Sequence, residues 1–453
     1  MPPQKLVKYR KTCYTKTSFK WKDVRALTHI YLDAMGGDNA PGCTVAGAIE
    51  ALRVNKDQKI TLAGDETAIN SLLKDCDDVR SRLHVEHCSE TITNHDAPVM
   101  AVRTKKDSAV VKGMLAVRDG RADGFVSAGS TGATLAGGMF RLGRIDGIDR
   151  PALAPLMPNG KDFFLLIDCG ANVDCKPEYL QQFAIMGDAY MRCVRGLDNP
   201  RVGLLNIGAE AEKGNQLVKE TYPLLEKTPV NFVGNIEGRD VTADMADVIV
   251  ADGFSGNLIL KFMEGVAGTL FGMIKAEMMS SLRCKLGALM AKPAFRQIKK
   301  KMDYTEVGGA PLLGVKGAVV KAHGSSNAHA IACAIRQAVS MVEGGVAPAI
   351  EKKLSETLKS EYRIIRCDTQ YYRGGRTQMT FDKVKALISQ QLKVPAEKVT
   401  PDARLVEDLG ADSANVMVLI MEVEDQFGIM VEDDAIMTLK TVADVVAYID
   451  SKL

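Results

Sequence analysis

Asp33-Ala34-Met35-Gly36-Gly37-Asp38-Asn39-Ala40-Pro41 follows a short apolar run, Ile30-Tyr31-Leu32, and leads into a helix-like segment from Cys43 to Leu52. Apolar run, paired glycines and helix, in that order, form the first strand-to-helix turn of an α/β domain. Two adjacent glycines let the backbone take positive φ and come close to a ligand, and the N–H groups entering the helix suit an anion such as phosphate. Asp33 and Asp38 flank the pair. On these residues alone a plain tight turn and an anion-binding turn are both open.

Downstream, apolar runs alternate with helical patterns: 60–63 then 66–73, 83–85 then 99–117, 125–127 then an apolar helix from 130 to 142, 163–167 then 177–194, and 202–206. Further strands are expected at 230–233, 248–251 and 315–321. This rhythm predicts a largely parallel sheet with helices on both faces, and the unbroken apolar run 163–167 suits a strand buried on both sides. The glycine-rich turns then fall at strand carboxyl ends, the edge where open α/β sheets bind ligands. From 255 to about 289 the pattern is helical, with Phe262, Val266, Leu270 and Ile274 on one face. Core or dimer packing accounts for that face. Within 278–294, Leu282, Leu286, Leu289 and Met290 stand among Arg283, Lys285 and Lys292, a mix compatible with an anionic bilayer. A helix from Ser326 to about Ile350 closes the large domain.

At 453 residues, 46% of them hydrophobic, the chain has room for roughly two to four domains. The net charge of +2 is unevenly spread. Residues 1–28 carry eight bases against Asp23, and 377–453 carry fourteen acids against seven bases, so the ends stand at +7 and −7. We divide the chain into a basic leader (1–27), a large α/β domain (28–350), a linker (351–376) and an acidic tail domain (377–453). The tail's spacing predicts helices at 381–392, 413–427 and 442–449, with a short one at 433–437, packed as a small bundle. The leader lacks the apolar core of a secretory signal. It reads as a disordered arm, a surface-binding segment or the product of an upstream start codon. Ten cysteines without a C-x-x-C pair, and six histidines that do not cluster with them at ligand spacing, indicate neither a disulfide framework nor a zinc site. Reduced cytosol fits.

The turns of the large domain offer amides, hydroxyls and asparagines: Ser127-Ala128-Gly129-Ser130-Thr131-Gly132, Asp168-Cys169-Gly170-Ala171-Asn172, Asn206-Ile207-Gly208, Lys213-Gly214-Asn215, Asp252-Gly253-Phe254-Ser255-Gly256-Asn257 and His323-Gly324-Ser325-Ser326. Such groups bind and polarise oxyanions. No G-x-S-x-G elbow is present, and GGD stands where a nicotinamide site wants G-x-G-x-x-G. Phosphate handling is therefore expected, with neither a metal nor a nicotinamide cofactor and no nucleic-acid partner. The expected phosphate- or substrate-binding residues are Asp33, Gly36, Gly37, Asp38, Ser130, Thr131, Gly132, Asp168, Asn172, His323 and Ser325. Cys169 and Cys175 are alternative acyl-accepting nucleophiles, but neither has a histidine nearby in sequence.

DAMGGD-x-AP (33–41), SAGSTGA (127–133), GRIDGIDRPALAP (143–155), DCGANVDCKPEYL (168–180), RVGLLNIG (201–208), EKGN (212–215), ADGFSGN (251–257) and KAHGSS (321–326) resemble, in order, the motifs of PlsX-type acyl-acyl carrier protein:phosphate acyltransferases. The resemblance runs from about Thr28 to about Ile350; Ser130 stands where asparagine is frequent. It implies a Rossmann-like αβα sandwich related to phosphotransacetylases and isocitrate-dehydrogenase-like enzymes. It also implies attack of inorganic phosphate on a long-chain acyl carrier protein thioester, giving acyl phosphate for phospholipid synthesis. A homodimer, a cytoplasmic location with peripheral attachment to the membrane surface, and a downstream glycerol-3-phosphate acyltransferase are further implications. Carried over by motif, Lys213 and Asn257 are the catalytic residues.

The tail resembles the acyl carrier proteins. Asp408-Leu409-Gly410-Ala411-Asp412-Ser413 is similar to their modification motif, and Met421 to Ile429 to the helix and turn after it. The resemblance makes Ser413 the attachment point of 4′-phosphopantetheine. Ala414 replaces the usual leucine, and Asn415 and Met417 replace acidic positions. Acyl carrier protein is thus expected as partner in cis or in trans, with delivery within the chain or across a dimer. A flexible linker of ~25 residues reaches ~25–30 Å. The rival reading is a phosphotransacetylase-like enzyme using acyl-CoA, with the tail as a docking or regulatory module.

Overall fold

A computed structural model describes residues 27–74, 76–302, 308–365, 375–392 and 394–411, with 419–452 described in part. The leader (1–26), residues 366–374 of the expected linker, and Ser413 lie outside the described residues.

Strand β1 (Thr28–Asp33) is followed by α1 (Gly42–Val54), β2 (Gln58–Gly64), α2 (Glu66–Leu72), β3 (Leu83–His87), α3 (Pro98–Thr104), α4 (Ala109–Arg118), β4 (Gly124–Ser127) and α5 (Thr131–Gly137). Short strands β5 (Ala152–Leu153) and β6 (Leu156–Pro158) lead into β7 (Phe163–Ile167), α6 (Pro177–Arg195), β8 (Arg201–Asn206), α7 (Gln216–Lys227), β9 (Asn231–Glu237) and β10 (Val248–Val250). The long helices α8 (Gly253–Met278) and α9 (Leu282–Met302) precede β11 (Ala310–Leu313), β12 (Ala318–Lys321), α10 (Ala328–Gly344) and α11 (Val346–Ile365). Helices α12 (Gly375–Leu392) and α13 (Val442–Lys452) belong to the tail.

The strands form two sheets, of order β3-β2-β1-β4-β12-β11-β5 and β6-β7-β10-β8-β9. The central pairs are parallel: β1 with β2 and β4, β4 with β12, and β10 with β7 and β8. Among the described strands, the antiparallel pairs are those involving β11 and β6. Alternation along the strands shows how both faces are covered. Ile30 and Leu32 of β1 join one core with Leu165 and Val248 of the second sheet and Phe183, Tyr190, Ile331 and Ile335 of α6 and α10. Tyr31, between them, joins Phe125, Met114 and Val319 in a core on the opposite face. Phe164, Leu166 and Ile249 form a third, against which Ile259, Leu260 and Met263 of α8 pack. The α/β sandwich read from the sequence is thus observed, as two sheets sharing a helical middle layer. The tail has its own core of Val384, Leu387, Ile388, Phe427, Val442, Val446 and Ile449.

Three helices expected to be continuous are broken, each by a local cap. The segment 99–117 divides because Ser108 starts α4, its Oγ accepting from Val111 N at 3.4 Å. The helix expected from 255 to 289 stops at Met279, where Ser281 Oγ accepts from Cys284 N at 3.2 Å and starts α9. The helix expected to close the domain at Ile350 ends at Gly344, and α11 departs at 48°. Of the tail's expected helix 413–427 and short helix 433–437, only part lies within the described residues.

Helix α11 is tied to the body by charge. Asp188 of α6 is fully buried and accepts from Arg192 Nε at 2.8 Å and from the Lys353 ammonium of α11. Burial lowers the pKa of Lys353, and the Asp188 carboxylate opposes that shift. Removing one member of such a pair leaves the other charge poorly compensated, typically costing about 3–5 kcal/mol. Asp188→Ala is therefore expected to lower the unfolding free energy of the large unit by an amount of that order, seen as a lower denaturant midpoint. An unchanged midpoint contradicts the pairing.

Candidate active site

In each sheet, parallel neighbours end on the same edge, and their turns meet there. In the first sheet the turns after β1, β4 and β12 interlock. Asp33, 5% exposed, accepts from Ser127 Oγ at 2.7 Å and Met35 N at 3.1 Å. Asp38 N donates to Gly324 O at 2.8 Å, and Ala322 N to Ser127 O at 2.9 Å. Gly37 has φ +100°, and a Cβ there would lie 3.0 Å from both Ala128 Cβ and Gly324 O, so this corner admits glycine for conformation and for space. Ser130 caps α5, its Oγ accepting from Ala133 N at 3.4 Å; Thr131 is exposed and Gly132 half-buried beside it. His323 and Ser325 are exposed, with Ser325 N donating to His323 Nδ1 at 3.2 Å.

In the second sheet β10 lies between β7 and β8, so the turns carrying Asp168–Asn172, Asp252–Asn257 and Asn206–Lys213 are neighbours. Asp168 is fully buried and accepts from Leu153 N at 2.9 Å, Asn172 N at 2.6 Å, Asn172 Nδ2 at 3.0 Å and Ala171 N at 3.3 Å. Asp252 caps α8, its Oδ1 accepting from Ser255 N at 2.8 Å. Helix α8 begins hard against the first turn: a Cβ on Gly256 would fall 1.9 Å from Asp168 O. Asn257, exposed in the first turn of α8, sits over Gly170, whose Cβ position is 3.5 Å from Asn257 Cγ. Lys213 is exposed; its carbonyl accepts from Asn206 Nδ2 at 3.0 Å, and among the described residues its ammonium makes no ion pair.

The sequence-derived site residues therefore fall into two groups: Asp33 to Asp38 with Ser130 to Gly132, His323 and Ser325 on one sheet, and Asp168, Asn172, Asn257 and Lys213 on the other. The backbone of β5 joins them, since Leu153 belongs to the first sheet and Asp168 opens the turn after β7 of the second. Lys321, the last residue of β12, belongs to the first group as well. Its half-buried ammonium donates to Ala128 O at 3.4 Å and to Ala322 O. Burial pulls its pKa down to about 8 against the opposing pull of Asp33 and Asp38. Its signal was a lysine at the end of an apolar run, immediately before the His323 turn.

Burial dominates the other titrations. It raises Asp33 and lifts Asp168 to about 6, in both cases outweighing the donors around the carboxylate. It also holds Cys169 well above the usual thiol range and pushes Cys175 up to about 12. Neither thiol has the environment of an activated nucleophile.

The family profile described as "Fatty acid synthesis protein" matches residues 28–349, and one described as "Phosphopantetheine attachment site" matches residues 382–449. A protein named phosphate acyltransferase from Alkaliphilus oremlandii (strain OhILAs) is 49% identical over 333 residues, 74% of this chain and 99% of that one. Another of that name from Lysinibacillus sphaericus (strain C3-41) is 51% identical over 321 residues, 70% of this chain and 96% of that one. A solved phosphotransacetylase from Streptococcus pyogenes aligns at a TM-score of 0.47 and 18% identity over 72% of this chain and 94% of that one. An α/β enzyme followed by a carrier domain is the class these matches define. The chain belongs to the fatty acid synthesis protein family over residues 28–349.

Ser413 falls within the matched attachment segment. The described residues around it fit a serine-linked arm: Leu405, Leu409 and Ala411 are buried in the tail core and anchor the segment immediately before it.

Asp168 gives a signed test. Its folded pKa of about 6 exceeds the ordinary 3.8, so its contribution to stability is fully present below the unfolded value and is lost as pH rises through the folded one. Between pH 4 and pH 7 the stability of wild type relative to Asp168→Asn is expected to fall by about 2–3 kcal/mol. A flat difference across that window contradicts the burial argument.

Proposed function

We propose that the chain transfers a fatty acyl group from an acyl carrier protein thioester to inorganic phosphate, giving acyl phosphate for phospholipid synthesis. The observation that carries this reading is the adjacency of the Asp168–Asn172, Asp252–Asn257 and Lys213 turns on one sheet edge, in a chain related over that region to proteins named phosphate acyltransferase.

A phosphate oxygen attacks the thioester carbonyl carbon, the C–S bond breaks, and sulfur leaves as the thiol with a proton. Lys213 supplies a compact positive charge that holds phosphate against the reacting carbon. Asn257 donates an amide N–H to the carbonyl oxygen as negative charge develops on it, and does so without titrating. The amides and hydroxyls of Gly36, Gly37, Ser130, Thr131 and Gly132, with Lys321 behind them, provide further anion donors. Asp33 and Asp168 position these turns, and Asp38, Asn172, His323 and Ser325 line them. Bound to Ser413, 4′-phosphopantetheine supplies the thiol on which the acyl group arrives.

Helix α8 presents Phe254, Leu258, Phe262, Val266, Leu270 and Met273 to solvent, and α9 presents Leu286, Leu289, Met290 and Ile298. Helix α8 is also long and apolar enough to cross a membrane by length and composition. This apolar hairpin supports a covering partner, either a second copy of the chain or a membrane surface on the cytoplasmic side. A peripheral enzyme there hands acyl phosphate to a glycerol-3-phosphate acyltransferase.

Assay of phosphate-dependent acyl release from long-chain carrier thioester against acetyl-CoA tests the reading. Preference for the carrier substrate is expected, and preference for acetyl-CoA favours a phosphotransacetylase with a regulatory tail. Asn257→Ala is expected to lose about 10²-fold or more in turnover with an unchanged circular dichroism spectrum. Undiminished turnover in that variant removes Asn257 from the mechanism.

A further inference from the structure

The tail is seated on the large domain at a particular place. Arg103, near the end of α3, is 8% exposed, and its Nη1 lies 3.5 Å from Oε2 of Glu424, which is 1% exposed. The other Glu424 oxygen accepts from Val431 N at 2.8 Å, so the carboxylate is held inside the tail while it faces Arg103. A second contact comes from a different segment: Arg144 Nη2 donates to Phe427 O at 2.9 Å. Arg141 stiffens the receiving surface, donating from Nη2 to Val102 O at 3.0 Å and Arg103 O at 3.3 Å.

Helix α3 links this surface to the site. Its first residue, Pro98, packs on the Ser130–Gly132 turn so closely that a Cβ on Gly132 would lie 2.5 Å from Pro98 Cγ. The same short helix therefore touches the anion-binding turn at one end and the tail at the other. Charge is complementary as well, because the arginines face a tail domain of net charge −7.

We propose that Arg103 and Arg144 form a docking face for the chain's own carrier domain, which seats the carrier beside the Ser130–Gly132 turn through Glu424 and Phe427. The proposal rests on the reading of the chain as an acyltransferase using a carrier thioester, and it names the residues by which enzyme and carrier meet. Glu424 and Phe427 follow Ser413 by 11 and 14 residues of sequence, so a face that grips them limits how far the attachment serine can stand from α3. Buried charge pairs discriminate between partners because losing one member strands the other. The face therefore suits an acidic carrier with a carboxylate at the Glu424 position. The tether relaxes the demand on intrinsic affinity, since a linked partner is present at roughly millimolar effective concentration.

The test uses the full chain, acylated on its own tail, with two readouts. Hydrogen exchange of residues 98–104 reports docking, and phosphate-dependent loss of the acyl group under single-turnover conditions reports delivery. Arg103→Glu and Glu424→Arg are each expected to raise exchange at 98–104 and slow delivery about tenfold. The charge-exchanged pair Arg103→Glu/Glu424→Arg is expected to restore both to within about threefold of wild type. Glu424→Gln keeps an acceptor for Val431 N and so separates docking from folding of the tail; a smaller change in the same direction is expected. Single reversals that leave exchange at 98–104 unaltered, or a double variant no better than the singles, overturn the docking face. Exchange that follows the charge swap without any phosphate-dependent release supports the docking face and overturns the acyltransferase reading. Release that ignores the swap overturns the docking face alone.

Discussion

Two carboxylates held out of water, Asp33 at the end of β1 and Asp168 at the start of the turn after β7, are the constraint on which the site depends. A buried carboxylate is costly unless donors surround it. Here the donors are the site's own turns: Met35 N and Ser127 Oγ for Asp33, and Leu153, Ala171 and Asn172 for Asp168. Satisfying each carboxylate fixes the path of a loop that would otherwise be free to vary. Because Leu153 comes from the first sheet and Asp168 from the second, the same bonds also align the two sheet edges. Fixed donors of this kind need little reorganisation when charge develops on a substrate, the condition under which hydrogen bonds contribute most to catalysis.

On the proposed reading the protein contributes position and charge, and phosphate contributes the nucleophile. Lys213, in the turn after β8, and Asn257, in α8 after the adjacent strand β10, are both exposed to substrates arriving from solvent, whereas Cys169 is buried and Cys175 half-buried, and the pKa values of both thiols are raised. The carrier domain adds a second layer of positioning. Its seat on α3 is one short helix away from the Ser130 turn, so on the proposed reading delivery and chemistry share a structural element.

Much of this was legible in the sequence because it is local. The run from Ile30 through Gly37 to Leu52 announced strand, turn and helix, and each later glycine-rich turn lies where its apolar run ends. The division into two sheets was not legible, since apolar alternation shows that a strand is buried but not which strand lies beside it. Residues 99–117 read as one helix because apolar spacing continues across the break, while the cap at Ser108 that ends the continuity is a single hydroxyl. Lys321 escaped notice because its neighbours Asp33 and Asp38 are distant in sequence. Arg103 and Glu424, 321 residues apart, leave no local pattern at all.

The central claim is that phosphate attacks the thioester directly, with no acyl group passing through the large domain. The measurement that bears on it most directly is intact-protein and peptide mass spectrometry after incubation of the chain with radiolabelled long-chain carrier thioester in the absence of phosphate. The account leaves the label on the carrier thioester, with none on peptides from residues 28–349 and prompt release of acyl phosphate when phosphate is added. Stoichiometric acylation of Cys169 or Cys175, discharged by phosphate at the rate of turnover, contradicts it.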